Sequence, residues 1–170
     1  RALIDINYWT PKIRQILSVN YYIARKPSAP DQVDLFTDPS GMKVFSNPGA
    51  RPRVWSVHRL LQSQDYSDAR RIVSDPAFDS ATTAFLQAPL PQLASCGAED
   101  QVRLLHRTWF AAKIDANMSC KGMVILSDIF YPGWHATVDG QTAKIYAADM
   151  LVRGIVTEAG HHTIEIRYQP

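Results

Sequence analysis

The chain has 170 residues, 46% of them hydrophobic, with 18 basic and 16 acidic side chains and a net charge of +2. This is the composition of a soluble globular chain with a sizeable core, not of a disordered one. The interspersed charges leave no basic face for a row of phosphates, which excludes nucleic acid as a partner.

In chain order, "YWTPKIRQILSVNYYIAR" opens with a helix signal. Thr10 suits the N-cap and Pro11 the first turn, where a missing N–H costs nothing, and Ile13, Ile16 and Leu17 share one helical face. The helix is predicted to end near Ser18, followed by a strand at "NYYIAR". "QVDLFTDPSGMKVFSNP" alternates apolar and polar on both sides of "DPSG", where Pro39 fits the first central turn position and Gly41 the last, so a hairpin is expected. Residues 53–61 ("RVWSVHRLL") read as one strand, and Ser67 as the cap of a short helix through "DARRIVS". "DPAFDSATTAFLQAPLPQLASCGAED" reads as loop with one helical turn at "ATTAFL".

From Gln101 onward the pattern is β, with strands at "VRLLHRT", "WFAAKIDA", "MVILSDIF", "WHATV", "TAKIYA", "LVRGIVT" and "HTIEIRY". Short strands at this spacing predict a mainly β chain, an antiparallel, jelly-roll-like β-sandwich with a few short helices, rather than parallel βαβ units. An α+β fold is the alternative. One domain is expected, with residues 1–62 contributing a helix and strands, 63–100 a loop-rich connection and 101–170 the β-rich part.

The segment 127–140, "SDIFYPGWHATVDG", concentrates turn chemistry. Pro132 and Gly133 have the φ preferences of a type II turn, so residues 131–134 make a corner. Asp139 and Gly140 read as a two-residue type I′ hairpin. That turn sets a register in which Val138 opposes Gln141, Thr137 opposes Thr142, Ala136 opposes Ala143, His135 opposes Lys144 and Trp134 opposes Ile145. Trp134, Ala136, Val138, Ala143 and Ile145 then face the core, and His135, Thr137, Thr142 and Lys144 face water. Asp128 falls on the face of Val124, Leu126 and Phe130, where an ionised carboxylate needs partners. Backbone N–H groups of the turn or the Trp134 indole are the expected donors.

Cys96 and Cys120 have no metal-ligand spacing. Each lies at the edge of an apolar hairpin-like segment, which leaves two readings open: a disulfide worth about 3 kcal/mol, or two reduced, partly buried thiols. His161 and His162 are strand neighbours that point to opposite faces and cannot share one ion, and His58, His106 and His135 are predicted on separate strands. No GxSxG elbow, glycine-rich phosphate loop or HExxH occurs. "NMS" at Asn117 matches a glycosylation sequon. Trp9, Trp55, Trp109 and Tyr131 would form a sugar-stacking platform if clustered and exposed; core packing is the commoner fate of such aromatics.

"VILSDIFYPGWHATVDGQTAKIYAADMLVRGIVTEAGHHTIEIRYQP" resembles the C-terminal signature of the YfhO-like bacterial membrane proteins: an apolar strand, Ser-Asp, Tyr-Pro-Gly-Trp, Val-Asp-Gly, then Ala-Gly-His before a strand ending in Tyr-x-Pro. "ILSVNYYIA", "VFSNPGARPRVWSV" and "DPAFDSATTAFL" are similar to that family's segments in the same order. Ile129 and His135 depart from the pattern, and the cysteines lie outside it, so the resemblance gives these positions no role.

The resemblance implies a segment on the extracytoplasmic face of a multi-pass protein similar in plan to membrane glycosyltransferases that use lipid-linked sugars. A start at Arg1 without Met or an export signal, an abrupt end at "IEIRYQP", and the lack of a run of about eighteen apolar residues agree with such an excised piece. Its partners would be the membrane-embedded remainder of the same chain and a glycan or cell-envelope polymer. The expected role is accessory and non-catalytic, with a carbohydrate-binding sandwich module as the alternative and an independent hydrolase disfavoured. The candidate ligand contacts are Trp109, Asp128, Tyr131 and His135, while Pro132, Gly133, Trp134, Asp139 and Gly140 are assigned to the backbone frame. No catalytic residue, metal or cofactor is assigned.

Overall fold

Pro11 opens α1 (Pro11–Ile16), and the helix stops at Ser18, whose φ of 52° breaks the helical path. The structure, a computed structural model, describes residues 11–170; the Thr10 cap and Trp9 lie outside the described residues. The chain divides into two units between Arg51 and Pro52.

In the first unit α1 is followed by β1 (Tyr21–Ala24), β2 (Val33–Thr37) and β3 (Lys43–Ser46), an antiparallel sheet in the order β1-β3-β2. The predicted hairpin forms as read. The Gly41 N–H donates to the Asp38 carbonyl at 3.0 Å, and the Asp38 carboxylate accepts from the Ser40 and Met42 N–H groups at 2.8 and 3.0 Å. Gly41 has φ +81°, which a glycine takes without penalty.

The second unit is an antiparallel β-sandwich. One sheet has the order β11-β10-β14-β8-β7, built from β7 (Gln101–Arg107), β8 (Ala111–Met118), β10 (Trp134–Val138), β11 (Gln141–Ala143) and β14 (Gly160–Tyr168). The other has the order β12-β13-β9-β4, built from β4 (Val54–Val57), β9 (Gly122–Ile129), β12 (Ile145–Ala148) and β13 (Val152–Thr157). Alternate residues of the first sheet, Ala112, Ile114, Ala116, Met118, Ala136, Ile164 and Ile166, meet Val54, Val124, Leu126 and Ile155 of the second in one buried core. This is the period-two burial that a two-sheet stack requires.

Four details differ from the sequence reading. Residues 53–61 are not one strand: the chain breaks at His58, and β4 joins the sandwich while β5 (Arg59–Gln62) leaves it. "ATTAFL" is not helical; its four buried residues form β6 (Thr83–Leu86), parallel to β5. Together with α2 (Tyr66–Ser74) they make a small βαβ unit, the parallel element not expected from the sequence. The cap of α2 is Asp65, not Ser67, and its side chain accepts from the Asp68 N–H at 2.8 Å. Finally, "TAKIYA" divides at Lys144, so β11 stays with β10 while β12 crosses to the other sheet and pairs with β13. The register set by the Asp-Gly turn therefore holds for Val138, Thr137 and Ala136 and stops before His135 and Trp134.

The βαβ unit is attached to the sandwich by polar contacts. The indole of Trp55, which is buried, donates to the Ser80 carbonyl at 2.9 Å. Buried Asp149, in the β12–β13 turn, accepts from the Phe85 N–H and donates its own N–H to the Phe85 carbonyl, both at 2.9 Å. No helix among the described residues is long and apolar enough to cross a membrane.

Candidate functional site

The corner at the start of β10 has the predicted geometry. Gly133 has φ +92°, and Asp139 and Gly140 have φ 51° and 81°, the paired positive values of a type I′ turn. The Asp139 carboxylate also accepts from the Thr163 N–H at 2.8 Å and meets His162 Nδ1 at 2.6 Å, and the Thr163 N–H and His162 hold it below the usual carboxylate range. The same contact raises His162 above its ordinary value. His161 turns the other way, to Asp115 at 2.6 Å, so the adjacent histidines do not converge.

The end of β14 ties this corner to a second loop. The Tyr168 N–H donates to the Phe110 carbonyl at 2.9 Å, and the next N–H, Gln169, donates to the Gly133 carbonyl at 2.7 Å. Trp109 and Phe110 are not the start of a strand, as their place in "WFAAKIDA" suggested. They form the tip of the β7–β8 hairpin, closed by the Thr108 N–H to Ala111 carbonyl bond of 2.7 Å. Trp109 is 86% exposed, Phe110 67% and Tyr131 62%, so one end of the sandwich presents three aromatic rings to water. Single exposed apolar residues are ordinary, and a group of them at one end is a candidate contact surface.

The same end of the sandwich carries a charged cluster. Asp128 does not accept from turn N–H groups or from the Trp134 indole, as the sequence suggested. Arg107 holds it with Nε to Oδ2 at 3.0 Å and NH2 to Oδ1 at 2.8 Å, and Arg53 NH1 stands 3.8 Å from Oδ1. The cause is a register shift: Leu126 pairs with Arg153 but Ile129 with Val152, so Ser127 and Asp128 bulge out of the ladder. Buried Arg153 faces the sandwich interior and stacks on the Trp134 ring 3.6 Å from its centroid. It also donates to the Ile129 carbonyl at 3.0 and 3.2 Å. Trp134 packs against the core and pairs with the Tyr168 ring at 5.4 Å.

Of the sequence candidates, Trp109, Tyr131 and Asp128 therefore lie at the same end of the sandwich. His135 is exposed on β10, opposite Arg167, and Trp55 belongs to the core. The three arginines were missed because they lie far apart in sequence and no local pattern links them to Asp128.

A second constellation surrounds the cysteines, which are joined in a disulfide. His58 Nε2 lies 2.8 Å from Asp100 Oδ2, and Nδ1 lies 3.1 Å from the Ala94 carbonyl and 3.6 Å from Cys120 Sγ. The Ser119 N–H and hydroxyl both lie 2.7 Å from Asp100 Oδ1, and the same hydroxyl is 3.0 Å from Cys96 Sγ. Burial would raise the Asp100 carboxyl, but hydrogen bonds from Ser56, Ser119 and His58 hold it below the ordinary range. His58, Cys96 and Cys120 have ligand atoms within 4.8 Å of one another, with both sulfurs engaged in the S–S bond.

Comparison with family models, curated proteins and solved structures finds no match to this chain.

Proposed function

We propose that this chain is an accessory, non-catalytic domain on the extracytoplasmic face of a YfhO-like membrane protein, where the aromatic end of its sandwich contacts a glycan or cell-envelope polymer. The observation that carries the reading is the exposure of Trp109, Phe110 and Tyr131 at the end of the sandwich where β7 closes on Arg107. Exposed rings offer stacking faces, and a half-exposed guanidinium offers donors to sugar hydroxyls or acidic groups. The Tyr-Pro-Gly-Trp motif that carries the family resemblance builds the corner that presents Tyr131, so motif and surface coincide. The remainder of such a protein, in the membrane, would be the second partner and would hold the catalytic carboxylates.

An independent hydrolase centred on Asp128 and His135 is disfavoured, because Asp128 is neutralised by arginines and His135 points to water from another strand. A free-standing carbohydrate-binding module rests on the same rings and differs only in lacking a membrane partner.

The test is an NMR titration of the labelled chain with oligosaccharide fragments of cell-envelope polymers, paired with incubation with lipid-linked sugar donors. The expected result is shifts at the Trp109 indole and around Tyr131 with no sugar turnover. Turnover by this chain alone would overturn the accessory role, and unmoved Trp109 and Tyr131 signals would remove the glycan contact.

A further inference from the structure

We propose that Cys96–Cys120 is a thiol-exchange site with a fixed direction of attack, in which a thiolate from a dithiol partner takes Cys96 and Cys120 departs beside His58. Cys96 is exposed, whereas Cys120 is half-buried, and exchange begins at the sulfur a nucleophile can reach. The leaving sulfur needs its developing negative charge stabilised, and Cys120 Sγ is the one 3.6 Å from His58 Nδ1.

His58 is built for that task. Its Nε2 faces the Asp100 carboxylate and its Nδ1 faces the Ala94 carbonyl. Both partners only accept, so each ring nitrogen is placed as a donor, with Nδ1 beside the Cys120 sulfur. Asp100 is itself fixed by the Ser119 N–H and hydroxyl, which orients the ring as a carboxylate orients a working histidine. A hydrogen-bond donor beside the departing sulfur stabilises the thiolate and speeds its departure.

The step balances. The incoming thiolate forms an S–S bond to Cys96 as the Cys96–Cys120 bond breaks, and the electron pair leaves on Cys120. The second thiol of the partner then displaces Cys96, so the partner dithiol is oxidised to a disulfide while both cysteines are reduced. The junction keeps a backbone tie when the bond opens, because the Ala94 N–H donates to the Lys121 carbonyl at 2.8 Å.

The experiment exposes the intact chain to reduced glutathione, quenches with N-ethylmaleimide, and maps the adducts by peptide mass spectrometry. Glutathione is expected on Cys96 and maleimide on Cys120; glutathione on Cys120, or equally on both, overturns the proposal. Reduction by dithiothreitol should slow about fivefold in His58→Gln and less in Asp100→Asn. An unchanged rate in a folded His58→Gln chain also overturns it, and the adduct map of the unsubstituted chain decides the matter if that variant does not fold.

Discussion

Arg107 and Asp128 join the two sheets of the sandwich at one edge, through paired bonds of 3.0 and 2.8 Å from Nε and NH2. Arg107 belongs to the five-stranded sheet and Asp128 to the four-stranded one. The Asp128 side chain is only 12% exposed, so removing its charge leaves Arg107, Arg53 and buried Arg153 facing one another without an anion. Asp128→Asn is expected to lower stability by about 2 kcal/mol, and Arg107→Lys, which loses the two-pronged grip, by about 1 kcal/mol. Urea unfolding measures both; a midpoint unchanged in Asp128→Asn would show that the cluster is structurally idle.

Asp149 makes stability depend on pH in the unusual direction. Burial pushes its carboxyl up to about 7 from 3.8, opposed only by the Phe85 N–H, and Oδ2 is buried with no hydrogen-bond partner among the described residues. Between these two values the folded chain binds a proton that the unfolded chain releases, so this group's contribution to stability falls as pH rises from about 4 to 7 and then levels. Asp149→Asn keeps an oxygen for the Phe85 N–H and suits the φ of 51°. It should flatten that slope and gain on the order of 2 kcal/mol at pH 8. Urea midpoints across pH 4–8 for both chains check it, and parallel curves would refute it.

What was legible in the sequence was the local chemistry. The Pro132-Gly133 corner, the Asp139-Gly140 turn and the inward face of Trp134 follow from φ preferences and a period of two, and all are observed. The βαβ unit was not legible, because "TAFL" is a short apolar run buried on both faces, which periodicity cannot distinguish from a helical turn. The second role of Asp139, accepting from Thr163 and meeting His162, depends on which strand lies beside the turn. The partners of Asp128 depend on a bulge and on residues distant in sequence, Arg53 just before β4 and Arg107 at the end of β7. Trp109 was read as a strand residue and lies instead at the hairpin tip, since an aromatic pair before "AAKIDA" extends the alternation through the turn.

The disulfide closes a separation of 24 residues and fastens the irregular segment before β7 to the β8–β9 turn. Replacing both cysteines with serine is expected to cost about 3 kcal/mol, chiefly through the greater freedom of the unfolded chain. The sandwich core lies elsewhere, so the folded state should keep its far-ultraviolet circular dichroism. Thermal melts of the two chains measure the cost, and equal melting temperatures would assign the bond no structural weight.

Gly133 and Gly140 separate conformational strain from crowding. Both have positive φ, 92° and 81°, so alanine at either is expected to lose about 1 kcal/mol to backbone strain. Around Gly140 a Cβ would meet nothing within 4 Å, whereas at Gly133 it would stand 2.8 Å from Tyr168 Cε2 and 3.5 Å from Pro170 Cα. Tyr168 is the ring that pairs with Trp134 at 5.4 Å, so it cannot move without disturbing the corner. Gly133→Ala should therefore cost about 2 kcal/mol or more and alter the near-ultraviolet circular dichroism of the aromatic pair. Gly140→Ala should cost only the strain and leave that signal unchanged. Equal losses in the two variants, read by urea unfolding, would show that the corner yields to the added methyl and that backbone conformation alone demands the glycine.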